Sequence, residues 1–297
     1  MARATVAEWG AAWPVQGEAS SCSRCRAAVS RQAFCIGYNK GMKVTVLGCG
    51  TSHGVPMIGC DCVVCTSADP RNKRLRPAIL VTADDGANIL VDTPPEMRLA
   101  FLANSVRRLD AIFYTHSHAD HIFGLDDVRT FNYRSGQAMP VYAEAGVLDD
   151  LRRIYKYIFV ETQAGGGKPQ VILSEITPGT ALTLHDLEIL PLRVCHGRLP
   201  ILAYKFGPRF AYVTDVNKIP SETWPHLLNL DLLMLDAVRR EPHETHFHLD
   251  AALETIALLQ PKRTLLTHLS HDYDYALTNA DLPPGVELAY DGQVIEI

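Results

Sequence analysis

The run Thr115-His116-Ser117-His118-Ala119-Asp120-His121 constrains this chain more than any other feature, because it stands directly after the apolar stretch 111–114. A strand followed at once by four metal-competent side chains within six residues has no ordinary packing explanation. Imidazole and carboxylate are the donors that suit Zn, Mn or Fe. His116 and His118 lie two apart in extended chain and so face the same way. Asp120 and His121 then turn toward an adjacent second ion.

The rest of the chain must supply a core for that site. At 297 residues with 47% hydrophobic and 21% charged residues, the composition is globular, and no disulfide is needed for bulk stability. The balance of 28 basic against 33 acidic residues argues against a nucleic-acid partner, which clustered positive charge would attract. No apolar run approaches the ~20 residues of a membrane-spanning helix. The N-terminus has no continuous apolar segment of the secretory kind, so the expected location is cytoplasmic.

Residues 1–41 differ in character from the rest of the chain. They hold three of the eight Cys, none of the His, and five basic against two acidic residues, which leaves −8 for 42–297. A disordered extension, or a start placed too far upstream, is the expectation for 1–41. Cys22 and Cys25 form a lone C-x-x-C, a weak metal or redox signal. From Met42, strands are expected at the opening KVTVLG and at 77–83, 88–92, 110–116, 140–143, 187–194, 201–206, 209–215, 232–238 and 263–269. Helices are expected at 94–105, 145–158 and 249–260, the last stopped by Pro261. Gly165-Gly166-Gly167 marks a flexible loop. Residues 42–297 therefore read as one α/β domain.

The H-x-H-x-D-H run resembles the signature of the metallo-β-lactamase superfamily, and further landmarks of that superfamily come in order: Cys195-His196-Gly197, Asp215 ending a strand, and Leu266-Thr267-His268. The resemblance implies an αββα sandwich with a dinuclear metal site at one edge of the paired sheets. It assigns His116, His118 and His196 to one ion, Asp120, His121 and His268 to the other, and Asp215 to both. Asp92 would support the metal loop from a neighbouring strand end. Two such ions share a water, lower its pKa and supply hydroxide at neutral pH. A Glu in place of His118 would have suggested an oxygen-reducing diiron site; His118 disfavours that chemistry.

A second cluster, Cys60, Cys62 and Cys65, has the spacing C-x-C-x-x-C in a loop. Exposed unliganded thiols are a liability, and three thiolates need a fourth ligand to close a tetrahedral zinc site. His271, three residues after His268, is the candidate. This pairing, with the opening LGCGTSHGVPMIGCDCVVC, resembles the PhnP branch of the superfamily, the phosphoribosyl 1,2-cyclic phosphate phosphodiesterases. The resemblance implies a metal-dependent phosphodiesterase acting on a small, often cyclic, phosphodiester. It would use a hydroxide activated by two divalent ions (Zn or Mn), with one structural Zn and, by analogy with relatives, a homodimeric state.

In the phosphodiesterase branches a His stands 22 residues before the last metal His, which here gives His246. The resemblance makes His246 the acid that protonates the departing alkoxide, with Asp120 assisting as a proton acceptor. His243 and His248 are expected to be surface residues. His53, in a glycine-bearing loop of the PhnP-like opening, is a candidate for contact with the substrate phosphate or, equally, for stabilising that loop. A transfer-RNA 3′-processing endonuclease is the alternative, with a thioesterase or lactonase behind it. The nuclease needs a protruding arm and basic surface, and the interval from Asp120 to His196 is short, with little basic charge in its Gly-rich loop.

Overall fold

A computed structural model of the chain describes residues 41–161 and 167–297. The expectations for residues 1–40, including the Cys22/Cys25 pair, and for Gly165 and Gly166 lie outside the described residues. The first sheet contains β1 (Lys43–Gly48), β2 (Ala78–Thr82), β3 (Asn88–Val91), β4 (Ala111–Phe113), β5 (Met139–Ala143) and β6 (Val171–Glu175). The second contains β7 (Leu182–Leu184), β8 (Leu187–His196), β9 (Leu199–Phe206), β10 (Phe210–Val213), β11 (Leu232–Asp236), β12 (Arg263–Thr267) and β13 (Val286–Leu288). The last strand, β14 (Val294–Glu296), returns to pair antiparallel with β1 at the edge of the first sheet.

Successive side chains of a strand point to opposite faces, and here both faces are covered. In β2, Ile79 and Val81 enter the core between the sheets, while Ala78 and Leu80 enter a core against the outer helices. In β11, Leu232 and Met234 face the first sheet, and Leu233 and Leu235 pack toward helix Leu249–Leu259. Near-continuous apolar runs are what such doubly buried strands require. The result is four layers, helix–sheet–sheet–helix, as the sequence implied.

Each sheet changes character across its width. β1, β2 and β3 pair antiparallel, and β3 to β6 run parallel. The second sheet repeats this, with β10 to β13 parallel and β7 to β10 antiparallel. Parallel strands release their C-terminal ends on one edge, where functional loops of α/β proteins collect. Across that edge, Leu202 N–H of β9 donates to Thr115 O at 3.1 Å and Tyr204 Oη–H to Tyr114 O at 2.6 Å. The second sheet thus holds the start of the histidine loop.

Some expectations needed correction. The helix expected over 145–158 divides into Ala145–Ile154 and Lys156–Phe159, because Tyr155 turns its hydroxyl inward to donate to Ile122 O at 2.8 Å. The helix expected over 94–105 spans Met97–Ala103, with Pro94 and Pro95 in the turn before it. β6, β7, β13 and β14 had no strong sequence signal. Among the described residues, no helix is long and apolar enough to cross a membrane.

Candidate metal centre

The donors gather where strands end. The loop after β4 carries His116, His118, Asp120 and His121, β8 ends at His196, and Asp215 and His268 come just after β10 and β12. Ligand atoms of His116, His118 and His196 lie within 4.8 Å of one another, as do those of Asp120, His121, Asp215 and His268. Asp215 stands between the groups, its Oδ2 3.9 Å from His116 Nε2, 3.4 Å from His121 Nε2 and 3.3 Å from His268 Nε2.

Backbone conformation contributes to this convergence. Asp92, Asp215 and His268 all adopt left-handed backbone, with φ of 65°, 57° and 59°. For residues other than glycine such geometry costs about 1–3 kcal/mol, and it concentrates at functional sites. Gly197, at φ 61°, is needed for close approach: a Cβ there would meet Thr245 Cγ2 at 2.8 Å. That approach lets Thr245 O accept from His196 Nδ1–H at 2.9 Å.

Each hydrogen bond at Nδ1 leaves Nε2 as the atom presented to the site. Asp92 Oδ2 accepts from His121 Nδ1 at 2.8 Å and from Thr115 Oγ1 at 2.9 Å, while Asp92 Oδ1 accepts from Thr115 N at 2.9 Å. Thr115 Oγ1 in turn accepts from His116 Nδ1 at 2.9 Å. The Nε2 atoms of His116, His121 and His268 are buried and make no hydrogen bond. Buried polar atoms are normally paired, so three convergent orphans mark a place for a ligand.

Electrostatics point the same way. Burial holds His116 well below the ordinary imidazole range, leaving it neutral and able to donate a lone pair. Burial opposes charge on His268 too, but Asp215, Asp120 and Asp236 outweigh it and push that ring up to about 9. His121 rises for the same reason, with Asp215 and Asp120 overcoming its burial. Burial also opposes ionisation of Asp120 and Asp215, yet the neighbouring His121 and His268 hold both carboxyls below their usual range. Without another cation, histidines serve as counter-charges to the carboxylates. Divalent ions fit this donor set.

His246 adjoins both groups. Its ring lies 4.5 Å from that of His196 and stacks at 4.6 Å on that of His268. Its Nδ1–H donates to Asp236 Oδ2 at 2.7 Å, and that oxygen also accepts from Val216 N at 2.9 Å. Sequence reasoning missed Asp236, although it closes an apolar strand just as Asp215 follows one. It also placed His243 on the surface. Instead His243 is half-buried, 4.9 Å ring to ring from His246, and lines a cavity of about 370 Å³ with His246 and His53. His248 precedes helix Leu249–Leu259 and makes no side-chain cap bond.

The cysteine cluster lies beside this edge. His271 Nδ1 is 3.2 Å from Cys60 Sγ and 3.5 Å from both Cys62 Sγ and Cys65 Sγ. Ligand atoms at the corners of a tetrahedral zinc are about 3.3–3.8 Å apart, so the four residues fit zinc. The N–H of Cys65 donates to Cys62 Sγ, and this, above the other influences, pulls that thiol down to about 6. Burial pushes Cys65 up to about 11, a thiol that a cation would have to ionise. The turn Leu269–Ser270, which joins His268 to His271, is held by Leu269 N donating to Cys49 O at 2.8 Å and by the Arg74 side chain, whose Nη1 donates to Ser270 O at 2.8 Å. Gly50 permits the close packing of this loop, since a Cβ there would meet Arg74 O at 2.9 Å.

Fold and donor set together define a metal-dependent hydrolase. Residues 87–269 match the Beta-lactamase superfamily domain, and the chain belongs to the metallo-β-lactamase superfamily, in which it is PhnP-like. A solved structure of a diphosphatase from the PhnP family is 42% identical, with a TM-score of 0.81 over 86% of this chain and 97% of that one. An octanoyltransferase of Porphyromonas gingivalis is 39% identical over 253 residues, 84% of this chain, but this chain spans only 51% of that protein's length. The Zn(2+)-bound PqqB of Methylobacterium extorquens shares the fold at 19% identity, with a TM-score of 0.69 over 86% of this chain and all of that one.

Proposed function

We propose that this chain hydrolyses a small phosphodiester, cyclic diesters foremost, and that two divalent cations, Zn or Mn, occupy the strand-end centre. His116, His118 and His196 would hold one, Asp120, His121 and His268 the other, with Asp215 shared. The observation that carries this reading is the convergence of the three orphaned Nε2 atoms on Asp215, next to the hydrogen-bonded pair His246–Asp236. Similarity to a PhnP-family diphosphatase supports phosphoryl chemistry over thioesters or lactones.

When bound, the cations supply a water of lowered pKa and neutralise charge on the phosphoryl oxygens. The remaining work falls to side chains. Asp236 holds His246 Nδ1–H, so the ring presents Nε2 toward the centre. His246 then donates the Nε2 proton to the departing alkoxide. Asp120, beside the centre, assists as proton acceptor, and His53 on the cavity wall contacts the substrate. Cys60, Cys62, Cys65 and His271 would hold a structural zinc.

The described part of the interval between Asp120 and His196 packs onto the sandwich, with Leu148, Leu151, Tyr155 and Ile158 buried against the first sheet. Those residues offer no arm to a transfer RNA. The test is to strip the purified chain with a chelator, reload Mn or Zn, and assay bis-p-nitrophenyl phosphate and 2′,3′-cyclic nucleotides. Metal-dependent cleavage of both is expected; failure on every diester would overturn the reading.

A further inference from the structure

Two cavities flank the strand-end centre, and they share no residue. One, about 370 Å³, includes His246 and is rich in donors: His53, His243 and Arg239 line it, with Asp272 as its one carboxylate. Arg239 has no carboxylate in ion-pair contact among the described residues; its Nε and Nη2 donate to the carbonyls of Glu241 and Pro242. The other, about 570 Å³, begins at His116 and Ser117 and runs past Glu144, Asp150, Arg193 and Glu175.

Charge differs sharply in the second cavity. Its one cation, Arg193, is taken by Glu144, with Nη1 at 2.7 Å from Oε2. Asp150 accepts from Ser117 Oγ at 2.5 Å and pairs with Arg153 at 2.7 Å. Glu175, at the end of β6, is exposed and has no ionic partner among the described residues. Ile176 and Pro200 provide an apolar part of the wall. The buried, unpaired Nε2 of His116 belongs to a residue lining this cavity, which ties it to the reacting centre.

In-line displacement puts the departing alcohol on the side of the proton donor. Given the reading of His246 as that donor, the departing group of an acyclic diester lies toward the Arg239 cavity and hydroxide attacks opposite it, so the equatorial group kept on phosphorus needs a space of its own beside the centre. We propose that the Ser117–Glu175 cavity is the subsite for the retained substituent of an acyclic diester, and that it accepts uncharged or cationic hydroxyl-bearing groups while rejecting anionic ones. This inference rests on the phosphodiesterase reading. Glu175 is the specificity-determining residue it names.

A fixed leaving group isolates the retained side. The substrates are p-nitrophenyl thymidine 5′-phosphate and the same diester with a further phosphate on its 3′-oxygen; nitrophenolate departs from both. Wild-type kcat/KM should be at least about tenfold lower for the 3′-phosphorylated diester, because a like charge meets Glu175. Glu175→Gln should narrow that ratio and Glu175→Lys should bring it to one or below. The substituted side chain is exposed, and circular dichroism checks that both variants fold. Equal kcat/KM for the two diesters in the wild type, or an unchanged ratio in both variants, overturns the subsite while leaving the phosphodiesterase reading intact. No hydrolysis of either diester or of bis-p-nitrophenyl phosphate overturns both.

Discussion

The strand-end centre and the cysteine clamp are both sets of convergent donors, yet they are held in different ways. At the centre, donors come from separate chain segments belonging to both sheets. His116, His121 and His196 are fixed at Nδ1 by partners other than the donors themselves. In the clamp, three of four donors come from one irregular loop of six residues, and only Cys65 among the four is buried. Its further support is two amide N–H groups on sulfur, from Met57 and Cys65 at 3.4 Å. The fold shapes the first site, whereas the second would take its shape from an ion. Metal removal should therefore silence the centre without loosening it, and loosen the clamp without directly touching the chemistry.

The largest expected effect breaks the centre itself. Asp215→Ala or His118→Ala should lower phosphodiester turnover by about three orders of magnitude or more, since several kcal/mol of charge stabilisation are lost. Metal content measured on the same sample should fall. The melting temperature of His118→Ala should stay near wild type, because His118 is not buried.

Next comes His246, the proposed proton donor. His246→Ala should cost about 10²–10⁴-fold on an alkyl or cyclic ribose diester and much less on an aryl diester, whose leaving group needs little help. Metal content should hold. His248→Ala is the control, and a leaving-group dependence at His248 but none at His246 would reassign the acid.

Asp92→Asn is expected to weaken metal affinity about 10–100-fold, the usual cost of removing a partner that orients a ligand. Here Asp92 fixes both His121 and the backbone of Thr115. Titration of the stripped protein with Mn, monitored by activity, reads this directly. Cys62→Ser should have the smallest effect on turnover. It should release one tightly held zinc and lower the melting temperature, since structural zinc adds its binding free energy to folding. Any loss of rate would travel through the turn Leu269–Ser270 that joins His268 to His271.

Legibility in the sequence divides along similar lines. The doubly buried strands could be read because alternate residues feed two cores, leaving runs such as 232–235 wholly apolar. The candidate donors could be read from the H-x-H-x-D-H run and from later positions that resemble the landmarks of the superfamily in order. The edge strands could not: β6 and β7 are half-exposed and present mixed side chains, so pairing rather than pattern defines them. Tyr155 broke an otherwise good helix for a hydrogen bond to Ile122 that lies 33 residues away. His243 reads as a surface residue because only the packing of loop 239–248 against the loop of Ser270 turns it into a cavity wall. Local pattern finds what a residue is attached to, and tertiary contact decides what it faces.

Metal stoichiometry during chelation tests the contrast most directly. Purified chain would be dialysed against a mild chelator while bound metal, bis-p-nitrophenyl phosphate turnover and melting temperature are tracked together. Turnover should fall to baseline as two ions leave, with the melting temperature nearly unchanged. A third ion, zinc, should stay until the chain unfolds. Turnover that persists with no more than one ion per chain would rule out the two-ion centre.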